Sequence, residues 1–167
     1  PIEETMGAMR DLVSTGKVRF IGVSNFSVGE LVAAQSALGN IPIVSNQIKY
    51  SIFDHEFADP IVTYCQDHGI AILAYSPLEA SGYQNELKSN QPLQTLLRGM
   101  SEETGKTQVQ ILLRWGLQKE NVVTIPATND LSHLQENIGA SGWTLDAEQY
   151  ATLNEAVKLK PSNHWWR

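Results

Sequence analysis

The stretch from Gly16 to Phe26, GKVRFIGVSNF, decides the fold. Gly16 tolerates the left-handed conformation that ends a helix. Before it, Ile2, Met6, Met9 and Val13 recur with helical periodicity. Val18 to Val23 is an apolar, partly β-branched run of strand length. Ser24 and Asn25 stand at its end, and Ser27 then reads as a helix N-cap with Glu30 at capping-box spacing. Helix, strand, polar strand end, helix is the repeating unit of parallel α/β folds. In those folds ligands gather at the C-terminal ends of the strands.

Outward from this stretch the same unit recurs. The helix after Ser27 places Leu31, Ala34, Gln35 and Leu38 on one face and stops at Gly39. A second strand spans Ile43–Ile48, with Asn46, Gln47 and Tyr50 near its end. A helix with Ile61, Val62 and Cys65 stops at Gly69. The third strand, Ile70–Ala74, ends in Tyr75-Ser76-Pro77-Leu78. Glu79 to Gln91 then reads as a polar loop too long for an ordinary connection, which marks it as functional. Helices over 92–104 and 107–119 precede a fourth strand, Val122–Ile125, that ends in Pro126-Ala127-Thr128-Asn129. Asp130 caps a helix with Leu131, Leu134 and Ile138 on one side. A last helix starts at Asp146, with Leu145 and Tyr150 placed as a hydrophobic staple, before a tail from Pro161 to Arg167.

Apolar strands alternating with amphipathic helices require a parallel sheet covered by helices. Four such units fit a small doubly wound sheet or half of an eight-unit barrel. All four strand ends carry polar groups: Ser24/Asn25, Asn46/Gln47, Tyr75/Ser76 and Thr128/Asn129. A barrel gathers every strand end at one mouth, so this pattern favours the barrel. The 167 residues make one domain or part of a larger one. Helical periodicity already running at Ile2 implies a start inside a larger architecture.

A net charge of −6 and an isoelectric point of about 5.1 exclude the basic face that nucleic acids or acidic membranes require. The one cysteine, Cys65, cannot form an internal disulfide, which points to a reducing, cytoplasmic setting and a buried structural thiol. No apolar run is long enough to cross a bilayer. His55, His68, His133 and His164 lack metal-ligand spacing, so no metal site is expected.

GKVRFIGVSNF, VSNQIKY, GIAILAYSPL, KTQVQILLRWGLQ and VVTIPATNDLSHLQEN together resemble, in order and spacing, the second half of the aldo-keto reductase barrel. The resemblance covers about Glu3 to Val157. It implies a (β/α)8 TIM-type barrel of which this chain supplies strands five to eight as one domain over residues 1–167. It also implies an NAD(P)(H)-dependent oxidoreductase that reduces aldehydes or ketones to alcohols. By the same resemblance Ser24, Asn25 and Gln47 hydrogen-bond the nicotinamide carboxamide, and Tyr75 stacks on its ring. Ser76 and Leu78 lie along the pyrophosphate, Thr128 and Asn129 approach the adenosine phosphate and ribose, and Glu136 and Asn137 contact adenine. The chemistry suits the roles: amide side chains both donate and accept, and aromatic faces stack on flat heterocycles. Plainer readings stand beside these. Ser24/Asn25 form a turn and cap, Gln47 satisfies backbone groups, Tyr75 is a core aromatic, and Glu136/Asn137 are solvated.

Three departures from the family matter. The family's catalytic tyrosine, with its aspartate, lysine and histidine, belongs to the first half of the barrel and has no matching motif here. The chain alone is therefore expected to be inactive, with no catalytic residue of its own. Lys49 and Tyr50 cannot substitute, because neighbours in a strand point to opposite faces. Ala127 and His133 occupy positions where many members carry a lysine and an arginine for the NADP 2′-phosphate. NADP(H) remains the first expectation and NAD(H) a second. Finally, half a barrel exposes two sheet edges, Val18–Val23 and Val122–Ile125. A missing half-barrel from another polypeptide, or self-association, is expected to cover them. The alternative function is a non-catalytic nucleotide-binding or assembly module. Trp165 and Trp166 fold over a substrate mouth or pack on the barrel wall.

Overall fold

Leu12 and Val13 at the end of the first helix show how local chemistry sets the chain path. Their carbonyls accept the N–H groups of Lys17 at 3.0 Å and Gly16 at 2.9 Å, and Gly16 sits at φ +72°. This double closure is the Schellman motif, which needs a residue at positive φ. The same pattern ends the third helix, where Ile70 N–H donates to Cys65 and Gly69 N–H to Gln66, with Gly69 at φ +67°. In this computed structural model the described residues are 1–56, 58–79 and 82–157. The tail from Pro161, with His164, Trp165 and Trp166, lies outside them.

The elements run α1 (Ile2–Ser14), β1 (Ile21–Ser24), α2 (Val28–Leu38), β2 (Ile43–Lys49), α3 (Asp59–Asp67), β3 (Ala71–Tyr75), α4 (Tyr83–Lys88), α5 (Gln91–Thr104), α6 (Gln108–Leu117), β4 (Val122–Ile125), α7 (Leu131–Ile138) and α8 (Ala147–Val157). The fold is α/β, with four parallel strands in the order β1-β2-β3-β4. The capping box at Ser27 and Glu30 is formed, and a second one joins Thr107 to Gln110. Asp130 caps α7 by accepting from the N–H groups of Ser132 and His133.

Helices cover one face of the sheet. Ile21, Ile48, Ile72, Ala74 and Val122 are buried there with Leu31, Ala34, Leu38, Val62 and Cys65. Gly116 lets α6 approach β4 closely, since a Cβ there would stand 3.1 Å from the Thr124 methyl. Cys65 is fully buried, and burial pushes its thiol up to about 11.

Four expectations need correction. The first strand begins at Ile21 rather than Val18: Phe20 is 65% exposed, with the Arg19 guanidinium 5.7 Å from its ring centre, and burial starts at Ile21. Glu79–Gln91 is not one long loop: it contains α4, anchored by the buried Leu87. Leu131, Leu134 and Ile138 do not bury a face, being 70%, 46% and 64% exposed. Asn46 is a fold residue rather than a strand-end ligand group. It is fully buried on the helix side, and its amide accepts from Phe26 N–H at 3.3 Å and donates to Phe26 C=O at 2.9 Å. It thereby clamps the turn after β1.

Candidate functional site

Strand alternation sends the residues between the buried ones to the opposite face. Ser24 pairs with Gln47 and Gln47 with Leu73, while Lys49 pairs with Tyr75 and Tyr75 with Ile125. A register shift between Ile21 and Gly22 brings Ser24 into line with Gln47. Polar groups thus gather at the C-terminal ends of β1, β2 and β3.

The turn after β1 is built for presentation. Asn25 adopts φ +58°, a conformation that asparagine tolerates better than most residues. Its backbone N–H donates to the Gln47 carbonyl at 2.8 Å, and that carbonyl also accepts from the Ser24 hydroxyl at 3.1 Å. The Tyr75 hydroxyl donates to Asn25 Oδ1 at 3.2 Å. Tyr75 lies on β3 and Asn25 beyond β1, so this bond arches across the end of β2. It leaves Asn25 Nδ2 and the whole Gln47 amide without hydrogen-bond partners among the described residues. These are paired donors and acceptors on an accessible face, beside a partly exposed aromatic ring. That set matches a planar heterocyclic amide.

A second group assembles at β4. Leu78, Thr128, Glu136 and Asn137 line one cavity of about 240 Å³ with Ala127, His133 and Tyr83. Its described lining carries one carboxylate and no lysine or arginine. Burial, and secondly the Glu136 charge, raise the Tyr83 pKa and keep the phenol neutral. Asn129 is exposed beside this cavity and does not line it. The Thr128 hydroxyl accepts from Asp130 N–H at 3.1 Å, so it is partly engaged in its own turn. Ser76, at φ +50°, opens the turn after β3. Of the ten residues expected to hold a cofactor, Ser24, Asn25, Gln47 and Tyr75 therefore cluster at the ends of β1, β2 and β3, and Leu78, Thr128, Glu136 and Asn137 line the cavity at β4. Ser76 belongs to neither and opens the turn that leads to Leu78, and Asn129 follows Thr128 outside the cavity lining.

One group escaped sequence reading. Lys49 Nζ stands 3.0 Å from Asp54 and 2.9 Å from Glu79, and the Ser51 hydroxyl donates to the other Glu79 oxygen. Burial alone would lower the Lys49 pKa, but the bonds to Glu79 and Asp54 outweigh it and raise it. These residues are scattered over 31 positions by number, from 49 to 79, and only the β2–β3 pairing unites them. Among the described residues no group of His, Cys, Asp and Glu is arranged to hold a metal ion. No helix there is long and apolar enough to cross a membrane.

The sequence model of the Aldo/keto reductase family matches residues 1–158. A soybean (Glycine max) protein named "Probable aldo-keto reductase 1" is 30% identical over 95% of this chain and 52% of its own length. An Aspergillus fumigatus protein named "Probable NAD(P)H-dependent D-xylose reductase xyl1" is 33% identical over 92% of this chain and 49% of its own. Among solved structures, the thermostable aldo-keto reductase Tm1743, bound to the inhibitor epalrestat, superposes with TM-score 0.82 at 38% identity. That match covers 93% of this chain and 55% of the other. An aldo/keto reductase from Klebsiella pneumoniae in complex with NADP and acetate gives TM-score 0.75 at 28% identity, over 93% and 54% of the two chains. The chain spans about half the length of the relatives it matches.

Proposed function

The chain belongs to the aldo/keto reductase family, and from that premise we propose that it forms the cofactor-binding C-terminal half of a (β/α)8 barrel, as a single domain. The complete barrel is an NAD(P)(H)-dependent oxidoreductase that reduces small aldehydes or ketones to alcohols. The observation that carries this reading is the Asn25–Tyr75 bond across β2, which holds an amide and an aromatic ring together beside the unengaged Gln47 amide.

Bound nicotinamide supplies the hydride. The work of this chain is orientation. Ser24, Asn25 and Gln47 hold the carboxamide, which fixes the rotation of the ring. Tyr75 covers one ring face, so only the other is open to substrate. Ser76 and Leu78 follow the pyrophosphate. Thr128 and Asn129 take the adenosine phosphate and ribose beside the start of α7, whose Ser132 and His133 N–H groups are already taken by the Asp130 carboxylate. Glu136 and Asn137 hold adenine. The cavity at β4 has no described lysine or arginine, so it discriminates weakly between NADP(H) and NAD(H), with NADP(H) the preferred form.

The proton donor and its supporting residues come from the other half of the barrel, so this half alone does not turn over substrate. Exposed Val123, Ile125, Leu131, Leu134 and Ile138 at the β4 edge support a covering half-barrel or a second copy there. Light scattering tests this part: self-association or a stable complex with the other half is expected, and a well-folded monomer would contradict it. Energy transfer from tryptophan to NADPH tests cofactor binding. Saturable transfer is the expected result, and none at millimolar NADPH would overturn the reading.

A further inference from the structure

The segment after β3 is pinned at its stem. Glu79 takes φ +63°, a strained conformation for a residue that is not glycine. Its N–H donates to the Ser76 carbonyl at 2.9 Å, closing a turn over residues 76–79 with positive φ at both ends. The Glu79 side chain is only 10% exposed and has both oxygens occupied, one by Lys49 and one by Ser51. Ser51 is itself 2% exposed, and its oxygen accepts Phe53 N–H at 3.2 Å. Lys49 is also held by Asp54 at 3.0 Å and lies in register with Tyr75. One clasp therefore ties the end of β2 and the β2–α3 loop to the turn that carries Ser76 and Leu78.

A buried carboxylate without its cation is strongly unfavourable, so the clasp is either fully made or released. While it is made, the 76–79 turn stays in place without ligand, and cofactor binding need not order it. We propose that Glu79, held by Lys49 and Ser51, is a positioning residue that fixes the 76–79 turn for the cofactor and slows cofactor release. This rests on the cofactor reading above.

The test compares Lys49→Met, Lys49→Arg and Ser51→Ala with the wild type in the full chain. NADPH dissociation is followed by stopped-flow fluorescence, and amide hydrogen exchange is measured without cofactor. Lys49→Met is expected to raise the NADPH Kd about tenfold, with the change in the dissociation rate. Lys49→Arg keeps the cation and stays within about twofold, and Ser51→Ala falls between them. Exchange at the Leu78 and Glu79 amides should accelerate in Lys49→Met while the Ile72 and Ala74 amides keep their protection. If Lys49→Met does not fold, Ser51→Ala carries the same comparison. Wild-type release and wild-type exchange in the variants would overturn the proposal, as would an equal loss in Lys49→Arg. A wild-type protein that does not bind NADPH overturns the cofactor reading and the positioning role with it. The exchange data then report separately whether the clasp pins the turn.

Discussion

On the helix-covered face of the sheet Ile21, Asn46, Ile48, Ile72 and Ala74 are buried. On the opposite face Ser24, Gln47, Lys49 and Tyr75 stay at least partly exposed, and Val123 and Ile125 are 48% and 39% exposed. The same four strands supply both faces by alternation. The contrast shows how each short strand serves both faces: alternate positions hold the fold and the positions between them present chemistry. Asn46 and Gln47 make the point in adjacent residues. Both carry amides, yet one is spent on the backbone of Phe26 and the other has no partner among the described residues.

The largest effect should come from the covered face. Ile72→Ala is expected to cost about 3 kcal/mol in urea unfolding, as deletion from a filled core does, whereas Val123→Ala on the open face should cost less than about 0.5 kcal/mol. Equal losses would erase the distinction between the faces. Next comes the amide pair. Asn46→Ala leaves the Phe26 N–H and C=O without partners and is expected to cost about 2 kcal/mol. Gln47→Ala should leave the urea midpoint almost unchanged, and a large shift there would show that Gln47 belongs to the fold.

A pH series probes the covered side further out, at the start of α3. Burial pushes the Asp59 carboxyl up, but hydrogen bonds from His55 at 2.9 Å and Lys119 at 2.8 Å outweigh it and hold its pKa well below the usual range. A lowered folded-state value means that stability from Asp59 is full above the ordinary value of 3.8 and is lost as pH falls toward the folded value. Asp59→Asn should therefore lose stability against the wild type at neutral pH, and the gap should narrow as pH falls below about 4. A gap that stays constant down to about pH 2 would contradict the assignment. The smallest stability effect belongs to the open face: Tyr75→Phe removes only the exposed bond to Asn25 and should stay within about 0.5 kcal/mol of the wild type.

Much of this was readable from the sequence because the signals were local. Gly16 and Gly69 fixed helix ends through backbone freedom, Ser27 with Glu30 spelled a capping box, and Val122–Ile125 was a bounded apolar run. The side of the strand that each residue faces is also periodic, yet the pattern groups Asn46 with Gln47 as strand-end polar residues although only Gln47 faces the open side. A buried amide and a ligand-binding amide look the same until their neighbours are known. Tyr83–Lys88 was missed as a helix because six residues are too few to hold a helix without the burial of Leu87. The apolar side of α7 was legible, but its exposure was not, since periodicity marks which residues share a side and not what packs on them. The Lys49–Glu79 clasp depends on strand pairing and on an unusual φ at Glu79, and neither leaves a mark in the sequence.

We propose that the open face, at the ends of β1, β2 and β3, is a nicotinamide site. Calorimetric titration of NADPH into the wild type and Gln47→Ala, each checked by its urea midpoint, tests it most directly. Saturable binding to the wild type, at least about tenfold weaker binding to Gln47→Ala, and matching midpoints are expected. Absence of binding to the wild type, or equal affinity in the two proteins, would contradict it.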